Sequence, residues 1–161
     1  MPPSRLRSHN PWNLPLTGPW HFALTHGRII AGEFQPSTVG ANGISASSNE
    51  EKNLPENAFD GSLETRWCAS DSSFPQSLEA DLGKVRPVAG VILLWEKPDE
   101  TYQSRIEGGR DGKHWQPLTD TPVRFVRVTV LGNSSGHWAS LREVQIRLIE
   151  GGAKSFGSRP R

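Results

Sequence analysis

Cysteine, methionine and tyrosine each occur once in this chain, and there is no long apolar run and no excess of either charge. Each scarcity closes a route. A single thiol, Cys68, forms no intrachain disulfide and cannot supply a thiolate cage for zinc, so the redox compartment stays open. With 18 Lys and Arg against 17 Asp and Glu, no whole-molecule field draws the chain to nucleic acid or to an anionic membrane. No apolar stretch approaches the roughly 20 residues that span a bilayer, and the opening "MPPSRLRSHNPW" lacks the apolar core of a signal peptide. The chain is therefore expected to be soluble, and extracellular or periplasmic where it forms part of a larger secreted protein. A sustained helical period with caps is missing too, as is any internal repeat.

What is present suits short strands. At 161 residues the chain has room for one domain with tails. Sixteen Gly and thirteen Pro provide turns, and six Trp provide large core anchors. Residues 1–10 and 151–161 read as flexible tails. Residues 11–42 form an extension whose "LTGPWHFAL" places Trp20, Phe22 and Leu24 on one face of a strand, with Ile29-Ile30 beginning another. The main unit is 43–150. Its strand-like runs are "GISASSN", "SLEADLG", "VAGVILLWE", "SRIEGG", "VRFVRVTVLG" and "REVQIRLIE". Period two is clean in the last pair, where Phe125 and Val126 alternate with Arg124 and Arg127, and Val144, Ile146 and Leu148 with Gln145 and Arg147. "RDGKHW" carries a DG hairpin turn. The expected fold is all-β, an antiparallel β-sandwich or jelly roll.

One segment concentrates oxygen donors. In "ENAFDGSLETRWCAS" the residues Asp60, Ser62 and Thr65 are spaced so that a curled loop points a carboxylate, a carbonyl and a hydroxyl at one centre, the donor set of a hard cation. The alternative is a metal-free Asp60-Gly61 turn capped by Thr65. Trp67 reads as core and Cys68 as a buried small hydrophobe.

"ISASSN", "AFDGSLETRWCAS", "LEADLG", "VAGVILLWE", "IEGGRDGKHW", "RFVRVTV" and "WASLREVQI", in that order, resemble the discoidin or F5/8 type C family and the related bacterial carbohydrate-binding modules with a galactose-binding-like jelly roll. The resemblance covers about Gly43 to Leu148. It departs at Ser77, where the family usually has Trp, and in the shortened connection between "DGKHWQPL" and "RFVRV". The resemblance implies a structural calcium in the Asp60 loop, completed by Glu143 from the last strand, with backbone oxygens of Asn57 and Arg142 as further ligands. Without metal, Glu143 would pair with Arg66 or Arg142. "LTGPWHFAL" is also similar to the opening strand of the sugar-binding domain in glycoside hydrolases related to β-galactosidase, which implies association with such an enzyme.

Catalytic signatures are missing. Asp60, Asp81, Glu96, Glu107, Asp111 and Glu143 are available as carboxylates, yet nothing in the sequence faces two of them across a site. The five His fall at 9, 21, 26, 114 and 137 without metal spacing, and no GxSxG or phosphate-loop pattern occurs. A non-catalytic binding module is the better reading. Sugar sites on β-sandwiches join an aromatic face to planar polar groups. Trp138 in "SSGHWASL" has loop neighbours, His137 adjoins it, and Glu96, Arg105 and Asn49 are polar candidates. The alternative for Trp138 is a rim residue that covers the sandwich end, and for Glu96 and Arg105 a surface ion pair. Trp95 and Trp115 read as core. Loops of Ser, Asn, Asp and Glu do not suit lipid insertion, and the strand Arg residues form no stripe for nucleic acid. The expectation is a carbohydrate partner and attachment of a glycoside hydrolase or similar enzyme to glycans, the alternative being a structural or protein-interaction sandwich without a sugar site.

Overall fold

Apolar side chains at alternate positions can all reach one face of a strand, and that pattern decides the architecture. Along β8 (Val123–Asn133) Val126, Val128 and Val130 point inward and are buried, while Arg127 points out. β9 (Ser140–Leu148) repeats the pattern with Val144, Ile146 and Leu148. The structure, a computed structural model, describes residues 20–23 and 43–148. The other strands are β1 (Trp20–Ala23), β2 (Ile44–Ala46), β3 (Trp67–Cys68), β4 (Gln76–Arg86), β5 (Val88–Trp95), β6 (Tyr102–Gly109) and β7 (Gln116–Pro117). A single 3-10 turn, Pro55–Phe59, lies between β2 and β3.

Two antiparallel sheets result, a four-stranded one in the order β1-β5-β9-β3 and a five-stranded one in the order β2-β4-β8-β6-β7. Trp67, Leu93, Leu141 and Ile146 from the first sheet meet Leu78, Ala80, Val126 and Val130 from the second in one apolar core. The expected β-sandwich is the observed fold. The strand expected in "LTGPWHFAL" pairs with β5 in the register Trp20 to Leu94 and Phe22 to Ile92. The tails 1–10 and 151–161, the Ile29-Ile30 strand, His9 and His26 lie outside the described residues.

Trp95 is buried as expected and stacks on Tyr102 with ring centroids 4.0 Å apart. Trp115 is a correction. It lies outside the core, half-buried, with the Arg127 guanidinium 4.2 Å over its ring. The DG hairpin, with Gly112 at φ 70, folds back onto the outer face of the five-stranded sheet. Gly109 permits the approach, since a Cβ there would sit 2.5 Å from the His114 carbonyl oxygen.

Four loops gather at one end of the sandwich: 47–54, 69–75, 96–101 and 134–139. Backbone hydrogen bonds join them, Glu50 N to Cys68 O, Ala69 N to Ala139 O, Glu96 N to Ser140 O and Ser134 N to Thr101 O. Gln76 ties two of them by side chain. Its Oε1 accepts from Ser47 Oγ at 2.6 Å and Ser48 Oγ at 2.8 Å, and its Nε2 donates to Ser73 O at 3.1 Å. A buried amide with its capacity filled this way fixes loop positions at little cost.

Candidate functional site

The Asp60 loop and the last strand meet. Gly61, at φ 77, makes the turn after Asp60. Asp60 Oδ1 accepts from Ser62 N at 2.8 Å and Oδ2 from Thr65 Oγ1 at 2.6 Å, so one carboxylate gathers the curl. Gly61 N then donates to Glu143 Oε1 at 3.3 Å, across 82 residues of chain. Asn57 braces the loop from below, its Nδ2 donating to Arg66 O at 3.1 Å. Arg142 Nη1 donates to Leu63 O at 2.7 Å.

Glu143 is the unusual member. It is 5% exposed, and its Oε2 has no hydrogen-bond partner among the described residues. The pairing with Arg66 or Arg142 that would satisfy it without metal does not form. Arg66 instead pairs with Glu96 at 3.2 Å, and Arg142 holds Leu63. Burial pushes the Glu143 carboxyl up to about 8; the Gly61 amide pulls it down in part and the Asp60 charge raises it further. A buried carboxylate beside a second one, with oxygen-bearing side chains around and no cation, has the donor chemistry of a calcium site. The loop gathers Asp60, Ser62 and Thr65, its Gly61 amide meets Glu143, and Asn57 and Arg142 bond to the loop carbonyls of Arg66 and Leu63 through their side chains. Among the described residues no three His, Cys, Asp or Glu side chains are placed to hold a metal ion together, so an ion at this loop would draw mainly on hydroxyl and main-chain oxygens.

At the loop end Trp138 is 39% exposed. Its loop is held on both sides, by Asn133 Nδ2 donating to His137 O at 2.6 Å and by the Ala69 to Ala139 bond. His137 Nδ1 meets both Ser135 Oγ, at 2.6 Å, and Glu100 Oε1, in a close contact. Serine, histidine and carboxylate are thus assembled on the same ring nitrogen. A nucleophilic relay needs them on opposite nitrogens, so this cluster positions the ring rather than activating Ser135. Burial pushes the Glu100 carboxyl up, but the Ser135 and His137 hydrogen bonds outweigh it and leave the group below its ordinary range. Its Oε2 is enclosed without a hydrogen-bond partner among the described residues.

Glu96 shares this rim, paired with Arg66. Asn49 is in the adjoining 47–54 loop, half-buried, with its amide donating to Glu50 O at 2.8 Å. Arg105 is placed elsewhere. It lies in β6 opposite Thr129, on the outer face of the five-stranded sheet, and pairs with Glu107 at 3.4 Å. There Glu107 also receives Arg127 Nε at 3.0 Å, and Glu79 stands opposite Arg127 in the next strand, so the face is a closed charge ladder. Glu96 and Arg105 therefore do not pair with each other. Glu100 and Arg66 are rim residues that sequence reasoning missed. Their partners are 37 and 30 positions away, and no local pattern marks them.

The F5/8 type C domain family matches residues 43–144. Among solved structures, the chain resembles "CBM32 of AlyQ in complex with 4,5-unsaturated mannuronic acid", with 32% identity, a TM-score of 0.57 and coverage of 70% of this chain and 96% of that one. A pectin-binding carbohydrate-binding module matches with 23% identity, a TM-score of 0.60 and coverage of 78% and 98%. Chitosan-binding module 1 from a chitosanase/glucanase of Paenibacillus sp. IK-5 matches with 24% identity, a TM-score of 0.59 and coverage of 68% and 98%. The last two are likenesses of fold. No curated protein matches the chain.

Proposed function

The chain belongs to the F5/8 type C domain family, and from that premise we propose that it is a carbohydrate-binding module whose ligand rests on the Trp138 rim and whose Asp60 loop holds a structural calcium. The observation that carries the glycan reading is the exposed Trp138 ring on loops fixed by backbone bonds, with His137, Glu96 and Glu100 beside it. An indole face packs on the C–H side of a pyranose, and the flanking polar groups take hydroxyls. A covered Trp138 would have favoured a purely structural sandwich. The relative of 32% identity, a carbohydrate-binding module in complex with a sugar acid, adds weight.

The rim has little to offer catalysis. One pair of carboxylates that the fold brings near each other, Asp60 and Glu143, has its second member buried away from any bound chain, and another, Glu79 and Glu107, is tied up by Arg127. The module's contribution is attachment. One shallow site binds weakly, and linkage to a glycoside hydrolase or a similar partner converts weak binding into local concentration. Among the described residues no helix is long and apolar enough to cross a membrane.

Fluorescence titration of the protein with galactosides, glucans, N-acetylhexosamines, sugar acids and amino sugars tests the reading. Saturable quenching by at least one class is expected; a flat response from folded protein across all classes, sugar acids and amino sugars included, would overturn it.

For the metal, Asp60, Thr65, Ser62 and Glu143 are the residues that would hold it, and the cation would supply the charge that Glu143 lacks. Calcium added to chelator-treated protein is expected to raise the melting temperature, and Glu143→Gln to abolish the rise. The pH dependence follows from the raised carboxyl. Between the ordinary carboxylate range and about 8 the folded metal-free protein holds a proton that the unfolded chain has released. Its stability therefore falls as pH rises through that window, and saturating calcium removes the fall. A melting temperature indifferent to calcium at pH 8 would reject the metal.

A further inference from the structure

Charge is balanced over the whole chain but separated in the fold. The four rim loops carry Glu50, Glu51, Asp71, Glu96, Asp99 and Glu100. Against them stand Lys52, Lys97 and Arg66, and Arg66 is committed to Glu96. The opposite end reverses the sign, with Lys84, Arg86, Arg110 and Lys113 against Asp111 and Asp120, while Asp81 and Arg124 neutralise each other through bonds of 2.8 and 2.9 Å. The imidazole next in sequence to Trp138, that of His137, faces Glu100.

From this polarity, and resting on the reading that Trp138 seats a sugar, we infer that the rim selects by charge: it favours amino sugars with a free ammonium group, accepts neutral sugars and rejects uronates. A carboxylate on the ligand would approach Glu96, Asp99 and Glu100, where Arg66, the rim guanidinium among the described residues, is already paired with Glu96 and only the Lys52 and Lys97 ammonium groups could offset the acids. Recognition of sugar carboxylates draws on guanidinium forks. An ammonium group meets the net negative charge of the rim loops instead. The field extends beyond contact distance, since screening takes hold only over about 8 Å at physiological ionic strength. It therefore acts on every sugar of a short oligomer lying across the rim.

The probes are tetramers of glucosamine, of N-acetylglucosamine and of galacturonate or mannuronate, titrated into the calcium-loaded protein at low and high salt. Roughly tenfold tighter binding of the glucosamine tetramer than of its acetylated twin is expected at low salt, and weaker binding still of the uronates. High salt should compress the series. The double variant Glu51→Lys with Asp99→Lys alters two exposed loop residues and should narrow the spread while neutral-sugar affinity holds. Equal affinities for all three, or tightest binding of a uronate, overturns the charge inference and leaves the module reading standing. Binding of none of them, nor of any sugar in the wider series, overturns both.

Discussion

Trp138→Ala is expected to weaken glycan binding by about 2 kcal/mol, roughly thirty-fold, while the melting temperature moves by no more than about 3 °C. The two halves of this result follow from different features. The ring is 39% exposed and belongs to no core cluster, so its removal leaves no buried cavity. Its loop is anchored through main-chain atoms of Ser134, Ala139 and His137, none of which is changed by the substitution. What goes is the apolar platform, the one exposed large aromatic ring among the described residues. Isothermal titration and a thermal melt on the same sample separate the effects. Undiminished affinity in a folded variant would move the ligand away from this loop.

Trp67→Ala should do the reverse and remove the fold. Trp67 is 0% exposed and packs in the main core beside Leu141 and Ala58. Its Nε1 donates to Ser48 O at 2.9 Å, and its own carbonyl accepts from Ser140 Oγ at 3.0 Å. Truncation of a buried Trp costs about 3–5 kcal/mol, against a total stability of roughly 5–15 kcal/mol for a domain. Urea denaturation should show an unfolding free energy lowered by that amount, or no native baseline at all. Trp67→Phe keeps most of the volume but leaves Ser48 O without its donor, at a cost of about 1–3 kcal/mol. A Trp67→Ala protein as stable as the parent would mean that the sandwich closes without this residue.

The contrast between these two tryptophans was legible in the sequence because their neighbours differ. Trp67 opens an apolar step, Trp-Cys-Ala, between turns, and Trp138 sits among Gly, Ser and His. Strands β8 and β9 were legible for a related reason, since their alternation fixes which face is buried. Trp115 and Arg105 were not. Trp115 follows a DG turn, and a hairpin can fold onto either side of its sheet; here it folds outward and Arg127 covers the ring. Arg105 looked like the end of a run, but β6 begins earlier, at Tyr102, which sets Arg105 within the strand and beside Glu107. The Asp60 loop could be read because its donors are within a few residues of one another, whereas the distance to Glu143 came only with the family resemblance. Glu100 and Arg66 had no such help.

The rim has no address in the primary sequence. Arg66, the 96–101 loop with Glu96 and Glu100, and Trp138 come from three separate segments and become neighbours only when both sheets have closed. An unfolded chain therefore presents nothing for a sugar to bind, and ligand energy acts wholly on the native side of the folding equilibrium. Mass action then makes heat resistance a detector: at a hundred times its dissociation constant a ligand adds about 2.7 kcal/mol of stability, whatever its identity. Unbiased glycan libraries can be screened by melting alone, without a label and without an enzyme to assay.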